Sequence, residues 1–559
     1  MIKLNNGASF EKNSTMFLED DFKPIAEARV RIKFGVALFV FVLLLVIIRL
    51  GFVSLSGKTQ APDFLSSSVE NARADIHDRN SQVLATTLRT YSLYVEPKKI
   101  WNSSETIQKI SSVRPLLDVN VLSKRINSPK SFVRIERGLN PKERQAIFSL
   151  GLPGVTFREE LKRVYPRRNL ASHIVGHTDP DLIGTAGSER AFNKELSSGE
   201  FEAINLSVDL RVQYAVYDEL RNGMLKHRSL SNAGIVLNIK TGEILSMVSL
   251  PNYDPNNPGV SDPRGEFNNA TMSTYDLGSV FKPLTMAMAL EDEVSSLTET
   301  YPVHKPFRVR NKFIRDDHPS EIPLAMPEIL AESSNRGTAM LALRVGGDQQ
   351  KKYLQELGLF DRAPIELFES TNPQLQSKWI DLTTVTVSYG HGISVTPLAL
   401  ASAIGATLND GLYISPTILK YSPNSKLETR RVFSSETSKS VKDMMRYVVT
   451  HGTGKNANVP GYGVLGKTGT AEKPTKGGYD QDRLVTSFVG AFPYDDPTYL
   501  VMVTYDEPQS GPETYGFKGA GWNAAPTTGA IIERIAPMLG VPREVSALVK
   551  SPFGLELSP

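Results

Sequence analysis

The feature that most constrains this chain is an uncharged apolar run near its N-terminus. The run FGVALFVFVLLLVII covers Phe34–Ile48, and beyond Arg49 the chain stays apolar to residue 55. A helix of about 20 apolar residues crosses a bilayer. Arg29, Arg31 and Lys33 precede the run, and basic residues favour the cytoplasmic side of a membrane. We therefore predict a cytoplasmic tail over residues 1–33, a single transmembrane helix over residues 34–56, and the bulk of the chain outside.

Two other interpretations of the run are weaker. A cleaved signal peptide could end near the small residues Ser54 and Ser56, but the segment before the run is long for a signal peptide. A buried core helix would carry a polar stripe, and the run has none. An anchored protein of a bacterial inner membrane, with its larger part in the periplasm, is the prediction that remains.

Composition removes several classes of function. Lys and Arg together number 63 and Asp and Glu 60, so the net charge of +3 gives no reason to expect nucleic acid as a partner. The chain has no cysteine, which excludes disulfides, thiolate metal sites and a cysteine nucleophile. His173 and His177 stand four residues apart, but no third ligand accompanies them, and we predict no metal and no cofactor.

The part beyond residue 230 has the pattern of an α+β domain. Alternating residues at 233–239 and 243–250 flank Lys240-Thr241-Gly242, which predicts a β-hairpin. A helical stripe follows at Val441, Met444, Met445 and Val448, and strand-like runs cover 484–492 and 499–505. Strands at both ends with helices between them indicate one sheet flanked by helices.

A first candidate for chemistry is Ser279-Val280-Phe281-Lys282, an S-x-x-K pattern. Residues i and i+3 share a helix face, so the lysine could take the proton of the serine hydroxyl. It must be neutral to do so, which requires burial or a neighbouring cation. The pattern alone is weak, because Ser9 to Lys12 also satisfies it in the predicted cytoplasmic tail.

Two further patterns follow in the chain. Ser333-Ser334-Asn335 lies between two helical segments and could aim a hydroxyl and a carboxamide at a cleft, although Ser and Asn there are also typical of a helix cap. Ser422-Pro423-Asn424 matches the same pattern and is typical of a turn. Lys467-Thr468-Gly469-Thr470 offers a cation and two hydroxyls on a predicted edge strand, where glycine would let a carboxylate-bearing ligand lie against the backbone.

Two other patterns resemble or overlap the K-T-G motif, and we call them decoy motifs. Lys240-Thr241-Gly242 is a second K-T-G, but it falls in the predicted hairpin turn. Gly461 to Thr468 satisfies the phosphate-binding pattern G-x-x-x-x-G-K-[ST], which needs a helix that begins at the lysine. The glycines and proline after Lys467 prevent such a helix, so we expect no nucleotide site.

The order and spacing of the three patterns give the inference its strength. S-x-x-K, then S-x-N, then K-T-G is the set of penicillin-recognising serine enzymes, with Ser334 where their second motif has Asp. With these motifs the chain resembles the class B penicillin-binding proteins, which are peptidoglycan D,D-transpeptidases, and among them most the division-specific FtsI type. The stretches that carry the resemblance are RADIHDRNSQVLA, KTGEILSMVSLPNYDPN, LGSVFKP, SSNRG, YGHGISVTPLALA, GKTGTAEK, SFVGAFP and GWNAAPTTGAIIERIAPMLG.

The resemblance implies a mechanism and a role for each matching residue. Ser279 would attack the carbonyl between two D-alanines of a stem peptide, Lys282 would deprotonate it, and Ser333 would relay the proton to the leaving amine. Asn335 would hold the donor peptide and Lys282. The terminal carboxylate would bind at the strand residues Lys467, Thr468, Gly469 and Thr470. An amine of a second stem peptide would then attack the acyl-enzyme, and β-lactams would acylate the same serine.

The resemblance also implies an organisation and partners. We expect an elongated mixed α/β pedestal or dimerisation domain over residues 57–228 and a penicillin-binding transpeptidase domain over residues 229–559. The expected partners are peptidoglycan stem peptides, β-lactams and membrane proteins of the division machinery, including a lipid II polymerase. The motifs leave five alternatives open: an elongation-type transpeptidase, a D,D-carboxypeptidase, a β-lactamase, a β-lactam sensor and a non-catalytic scaffold.

Overall fold

The computed structural model describes residues 33–49 and 73–544, apart from residues 261, 425 and 476–477. Two compact units divide the chain, at residues 1–70 and 71–559. The described part of the first unit is one helix over residues 33–49, which we label α1. Among the described residues, no helix is both long enough and apolar enough to span a membrane. The predicted transmembrane helix over residues 34–56 is described only as far as residue 49, and the predicted tail lies outside the described residues except for residue 33. Both stay predictions.

The second unit contains the remaining helices and strands. Its described helices are Ser103–Val113 (α2), Val119–Ile126 (α3), Pro141–Phe148 (α4), Ser172–Val175 (α5), Gly187–Ala191 (α6), Asn193–Ser197 (α7), Leu210–His227 (α8), Lys282–Glu291 (α9), Met326–Ala331 (α10), Asn335–Val345 (α11), Gly347–Glu356 (α12), Asp381–Ser388 (α13), Pro397–Leu408 (α14), Ser435–His451 (α15) and Ala524–Met538 (α16). Its described strands are Asp75–His77 (β1), Val83–Val95 (β2), Val133–Leu139 (β3), Val155–Val164 (β4), Ala203–Asn205 (β5), Ser231–Asn238 (β6), Ile244–Leu250 (β7), Thr300–Tyr301 (β8), Phe307–Val309 (β9), Lys312–Ile314 (β10), Leu324–Ala325 (β11), Gln374–Leu375 (β12), Ile393–Ser394 (β13), Leu412–Ile414 (β14), Thr429–Arg431 (β15), Leu465–Thr475 (β16), Gly478–Phe492 (β17) and Tyr499–Asp506 (β18).

The N-terminal part of this unit is built on a mixed sheet. Its strands run in the order β3-β2-β1-β5, with β4 paired to β2, and β1 lies parallel to β5. The turn between β1 and β2 is held by Asp78, whose carboxylate accepts the backbone N–H groups of Asn80 and Gln82 at 2.8 Å. The helices α2, α3 and α4 cover β2 and β3 with a separate apolar core. This mixed α/β arrangement agrees with the fold class predicted for the pedestal.

An antiparallel sheet of order β16-β17-β18-β6-β7 is the centre of the rest of the unit. Alternate residues of a strand face opposite sides, and here both sides are buried. On β18, Leu500 and Met502 belong to one apolar core, whereas Val501 and Val503 belong to the other. Buried residues of α9, α14 and α15 join the first core, and those of α8 and α16 join the second. The predicted sheet flanked by helices is confirmed.

Helix α8 lies within the range predicted for the pedestal, yet it packs on β6, β7 and α16. The predicted boundary at residues 228 and 229 stays a prediction. Residues 105–150 are polar with helical spacing in the sequence, which favours helices there, and β3 interrupts them. Its residues VRIERGL alternate in burial, which is a strand pattern, but the intervening charged side chains obscure the alternation in the sequence.

Candidate functional site

Ser279 lies on a tight turn that opens helix α9. Residues Gly278–Phe281 form a 3-10 turn, and the α-helix begins at Lys282. Pro283 explains the break, because it lacks the N–H that would bond to the Ser279 carbonyl in an α-helix. The backbone N–H of Lys282 donates a hydrogen bond to that carbonyl instead. The serine and the lysine therefore stay one turn apart, as the S-x-x-K spacing predicted, with the serine on the 3-10 segment.

Lys282 is completely buried at the floor of the site. Its Nζ donates to the carbonyl oxygen of Ser333 and to the Ser333 hydroxyl, the latter at 3.1 Å. Burial lowers the pKa of Lys282 to about 7, and the carboxylates of Asp316 and Asp317 oppose that shift. A lysine of this kind is neutral in a large fraction of molecules at neutral pH, which a general base requires. Among the described residues, no hydrogen bond joins it to the hydroxyl of Ser279.

Ser333 occupies the short link between α10 and α11. Its φ of +60° lies in the left-handed region, which is costly for a residue with a Cβ. This conformation directs its hydroxyl to a point where Nζ of Lys282 and Nζ of Lys467 both donate to it, at 3.1 and 3.0 Å. One hydroxyl oxygen thus joins two buried lysines. Strain of this kind concentrates where function requires a particular geometry.

Lys467 lies on the edge strand β16, as the K-T-G pattern predicted. Its side chain is fully buried, and it also donates to the carbonyl and the hydroxyl of Thr468 at 3.1 and 3.3 Å. Burial and the neighbouring Lys282 together lower the pKa of Lys467 well below its ordinary value. The hydroxyls of Thr468 and Thr453 share a hydrogen bond of 2.6 Å. Further along the strand, the exposed Thr470 accepts the backbone N–H of Ala520 at 3.2 Å.

Glycines let β16 lie directly against the turn that carries Ser279. A Cβ at Gly469 would stand 2.4 Å from the carbonyl oxygen of Leu277, and one at Gly278 would stand 2.6 Å from the carbonyl oxygen of Thr470. No real Cβ makes such contacts, so the two segments would have to separate. The sequence analysis attributed Gly469 to the approach of a ligand. In the structure the space beside both glycines is filled by protein backbone, and a ligand-binding role for Gly469 stays a prediction.

The S-x-N pattern is held by a carboxylate that the sequence analysis missed. Ser334 caps α11 by accepting the N–H of Gly337, as the alternative interpretation of this motif expected, and it donates to Asp316 at 2.9 Å. Asp316 also accepts the backbone N–H of Asn335 at 2.5 Å. The Asn335 side chain donates to the carbonyl of Arg315 at 3.0 Å and makes no hydrogen bond to Lys282. Its predicted contact with Lys282 is absent from this structure, and its role stays a prediction.

A second group that the sequence did not single out borders the same turn. Asp276 accepts the Tyr479 hydroxyl at 3.0 Å and the Ser394 hydroxyl at 2.6 Å. The ring of Tyr479 lies edge-on to His391, with centroids 5.4 Å apart. The stretch YGHGISVTPLALA contains His391, so the sequence placed it in a matching segment, but nothing in a linear pattern relates it to a β-hairpin nearly 90 residues later.

The decoy motifs lie elsewhere or have the wrong structure. Lys240 lies in the link between β6 and β7 and pairs with Asp496 at 2.9 Å. Lys467 stands on a strand, so the phosphate-binding pattern lacks its helix.

His173 bonds to the carbonyl of Gly265 at 2.8 Å, and burial lowers its pKa to about 4. Within the described ranges, no group of three His, Asp or Glu side chains could hold a metal ion. Ser9 lies outside the described residues.

The arrangement suits acyl transfer through a serine. A serine hydroxyl stands on a turn at the start of a helix, and a lysine whose pKa is lowered to about 7 lies one turn away. A second hydroxyl connects that amine to a second lysine. Neutral amines and hydroxyls in a dry site can exchange protons without a metal. The exposed Thr470 on the neighbouring strand offers a polar contact to whatever the nucleophile attacks.

Comparison with known families agrees with this geometry. Residues 233–532 match the penicillin binding protein transpeptidase domain, and residues 68–209 match the penicillin-binding protein dimerisation domain. The chain is 39% identical, over 95% of its length and 92% of the relative's, to the probable peptidoglycan D,D-transpeptidase FtsI of Caulobacter vibrioides. It is 32% identical to the probable peptidoglycan D,D-transpeptidase PenA of Neisseria gonorrhoeae, over 86% of this chain and 87% of that one.

Two further comparisons extend the picture. The peptidoglycan D,D-transpeptidase FtsI of Escherichia coli is 29% identical, over 83% of each chain. Penicillin binding protein 3 of Mycobacterium tuberculosis, solved in complex with aztreonam, superposes with a TM-score of 0.67. That match covers 87% of this chain and 99% of the other at 24% identity, so it supports the fold.

Proposed function

The chain belongs to the class B penicillin-binding proteins of the FtsI type, and from this premise we propose that it is a serine-type peptidoglycan D,D-transpeptidase. It cross-links stem peptides during septal cell-wall synthesis and is a target of β-lactams. The observation that carries the proposal is the convergence of Lys282 and Lys467 on the hydroxyl of Ser333, beside the turn that presents Ser279.

The chemistry follows from the protonation states of these groups. Lys282, in its neutral form, takes the proton of Ser279 as the hydroxyl attacks the carbonyl between two D-alanines. The proton then passes through the Ser333 hydroxyl to the amine of the departing D-alanine, because that hydroxyl can accept from one lysine while it donates to the leaving group. An approaching anion favours the protonated form of Lys467, and in this form Lys467 binds the terminal carboxylate together with Thr468 and Thr470.

Binding of that anion is coupled to protonation. Burial disfavours the charged form of Lys467, so this side chain is neutral more readily than a lysine in water. A carboxylate beside it offsets the desolvation of the ammonium and favours the charged form. The same preference would apply to the carboxylate of a β-lactam, whose ring carbonyl is the group attacked by Ser279. Substrate and inhibitor therefore share one set of contacts in this proposal.

The cellular setting is proposed on the sequence. The basic residues before the apolar run favour a single-pass protein of the inner membrane with a cytoplasmic N-terminus and a periplasmic catalytic part at the division septum. Membrane proteins of the division machinery, including a lipid II polymerase, are the proposed partners. A reporter fused after residue 60 tests the topology. Reporter activity in the cytoplasm, or a mature N-terminus near residue 57, would contradict it.

Labelling with a fluorescent penicillin tests the catalytic assignment. The full-length protein should form a covalent adduct that peptide mapping places on Ser279, and Ser279→Ala should form none. Ser9→Ala is the matched control, since it alters the other S-x-x-K serine, and it should label like the unaltered protein. An adduct on Ser333, or labelling that persists in Ser279→Ala, would overturn the proposal.

Synthesis of cross-links distinguishes a transpeptidase from the alternatives. Incubation with a donor stem peptide and an amine-bearing acceptor should give a dimeric peptide, analysed by mass spectrometry. A product that consists only of donor shortened by one D-alanine would indicate a D,D-carboxypeptidase instead. In cells, depletion should produce long filaments, whereas rounded cells would indicate the elongation type.

A further inference from the structure

A loop after helix α13 is fastened to the turn that carries the nucleophile. The carbonyl of Gly390 accepts the backbone N–H of Gly278 at 3.1 Å. A Cβ at Gly390 would stand 2.2 Å from the carbonyl oxygen of Gly278, so the two backbones touch with no side chain between them. Since Gly278 and Ser279 are consecutive, and so are Gly390 and His391, this contact keeps His391 close to the turn that presents Ser279.

The imidazole of His391 is positioned by rings and lacks polar partners. Its centroid lies 5.6 Å from that of Tyr389 and 5.4 Å from that of Tyr479. Its ring nitrogens make no hydrogen bond within the described part of the chain. The buried His173 differs, because its Nε2 is satisfied by a backbone carbonyl. His391 thus has a fixed ring plane and two nitrogens available to a ligand.

A carboxylate stands at the same site on a different loop. Asp316 is tied to the start of α11 through the N–H of Asn335, and Asp317 is the next residue. The side chain of Asp317 is exposed, and it forms no ion pair or hydrogen bond within the described ranges. Because Asp316 bonds to Ser334 and Asn335, Asp317 lies close to the link that carries Ser333. Its charge acts on both Lys282 and His391.

We propose that Asp317 and His391 form the subsite for the acceptor, which is a stem peptide with a cationic primary amine on a diamino-acid side chain. Asp317 pairs with the ammonium group, and the imidazole of His391 removes a proton from it, so that the free amine faces the acyl-Ser279. The proposal rests on the transpeptidase function proposed above and adds the residues that choose an amine over water.

The charges around the site favour this assignment. Lys282 and Lys467 both repel a cationic acceptor in the fraction of molecules in which they are protonated, and Asp317 opposes that repulsion. His391 is faced by Asp276, Asp317 and Lys282. Burial lowers the pKa of His391, and the two carboxylates oppose the shift while Lys282 adds to it. The ring is therefore neutral at pH 8 and able to accept a proton.

The proposed step is balanced in protons and bonds. The acceptor ammonium gives one proton to His391, and the amine attacks the ester carbonyl of acyl-Ser279. A C–N bond forms, and the second proton of the nitrogen passes through Ser333 to Lys282. The C–O bond to Ser279 then breaks, and Lys282 returns that proton to the serine oxygen. His391 releases its proton to solvent, so the products are an amide, the free serine and one proton.

The test measures how the acyl-enzyme divides between amine and water. Full-length protein in detergent is given a thioester analogue of an acyl-D-alanine donor at pH 8, where Lys282 and His391 are both largely neutral in every variant. The acceptor is a stem peptide with a free lysine or diaminopimelate side-chain amine, and the same peptide acetylated on that amine is the blank. Chromatography of the amide and acid products gives kcat and KM for the acceptor.

Each variant has a distinct expected signature. Asp317→Asn should raise the acceptor KM about three- to fivefold, the size of an exposed ion pair, with kcat for aminolysis little changed. His391→Gln should lower kcat for aminolysis about a hundredfold, with hydrolysis much less affected. His391→Phe keeps the ring between the two tyrosines and should behave like His391→Gln. The controls Glu321→Gln and His318→Gln change exposed residues of the loop that carries Asp317 and should leave both quantities unchanged.

Penicillin labelling of every variant separates failure of this subsite from failure of the proposed function. The rates are divided by the labelled fraction, so a variant that folds poorly still reports on its folded molecules. If the unaltered protein neither labels nor forms amide, the transpeptidase proposal fails. If it does both, and Asp317→Asn leaves the acceptor KM unchanged or His391→Gln slows hydrolysis and aminolysis equally, the acceptor subsite is overturned and the function stands.

Discussion

Nζ of Lys467 lies 3.0 Å from the hydroxyl oxygen of Ser333, although 134 residues separate them in the chain. The contact joins the edge strand of the central sheet to the link between α10 and α11. At this contact Ser333 adopts a left-handed backbone conformation, with φ +60°. Backbone strain and a shared hydrogen bond therefore meet at one residue, and substitutions can separate their effects.

Ser333→Ala and Ser333→Gly form a pair that does so. Both remove the hydroxyl between Lys282 and Lys467, so both should slow penicillin acylation by about 100-fold or more, the scale of a proton-transfer group. Glycine also relieves the strain at φ +60°, which costs of order 1 kcal/mol or more for other residues. Ser333→Gly should therefore unfold at a higher temperature than Ser333→Ala, as thermal unfolding would show.

The two measurements answer different questions. Equal acylation rates with different melting temperatures would assign the chemistry to the hydroxyl and the stability to the backbone. An acylation rate in Ser333→Gly close to that of the unaltered protein would contradict the relay. A lower melting temperature in Ser333→Gly would contradict the account of strain.

Gly469→Ala tests the contact between strand β16 and the turn that carries Ser279. The added methyl group would stand 2.4 Å from the carbonyl of Leu277, and because that atom belongs to the backbone, the strand or the turn must shift. We expect destabilisation of about 2 kcal/mol or more and a large loss of penicillin labelling. Gly511→Ala is the control, since its methyl group would meet nothing within 4 Å. Similar behaviour of the two variants would refute the packing argument.

Glu189→Gln tests a buried ionic cluster in the N-terminal part of the second unit. Glu189 pairs with the Nε atoms of Arg73 and Arg163, each at 2.6 Å, and all three side chains are almost fully buried. Removing the single negative charge leaves two buried arginines without a counter-charge, which typically lowers the free energy of unfolding by about 3–5 kcal/mol. Urea unfolding followed by circular dichroism would measure the loss.

An exposed ion pair supplies the comparison for that variant. Glu159 and Arg89 approach to 3.6 Å at the surface, with the arginine 66% exposed. Glu159→Gln should change the free energy of unfolding by less than about 1 kcal/mol. If the two substitutions cost the same, burial does not govern the strength of the cluster formed by Glu189.

Periodic patterns allowed much of the fold to be predicted. The hairpin of β6 and β7 and the buried stripe of α15 both follow local rules of spacing. Strand β3 was missed because charged residues interrupt its apolar positions. The 3-10 turn at Ser279 was missed too, although Pro283 carries the signal, since a proline there removes the N–H that an α-helix would need.

The site divides in the same way. Ser279, Lys282, Ser333 and Lys467 were predicted from motif order. The structure joins the two lysines through the Ser333 hydroxyl, and the catalytic roles of all four residues stay predictions. Asp316 was not found, because an aspartate in a loop carries no local sign that its carboxylate caps a helix 18 residues later. The orientation of Asn335 toward Arg315 likewise depends on tertiary packing. Linear patterns identify groups that act as a unit, and they do not identify what holds the unit in place.

The pH dependence of acylation should report on Lys282. The lysine acts as a base only when neutral, and burial lowers its pKa to about 7. The rate of acylation by penicillin should therefore fall about tenfold for each pH unit below that value and level off above it. Stopped-flow measurements with a fluorescent penicillin between pH 5 and pH 9, at a temperature at which the protein stays folded throughout, would locate the acid limb.

Asp316→Asn should shift the acid limb of the acylation rate to lower pH, and the direction of that shift identifies the group that titrates. The carboxylate of Asp316 raises the pKa of Lys282 against the effect of burial, so its removal should lower that pKa and shift the limb to lower pH. Loss of the cap on α11 could reduce the plateau rate, but a change in amplitude does not move the midpoint. Asp348→Asn, an exposed carboxylate on α12 paired with Lys351, is the control and should leave the midpoint in place. A limb that stays fixed in Asp316→Asn, or moves to higher pH, would show that a group other than Lys282 governs acylation.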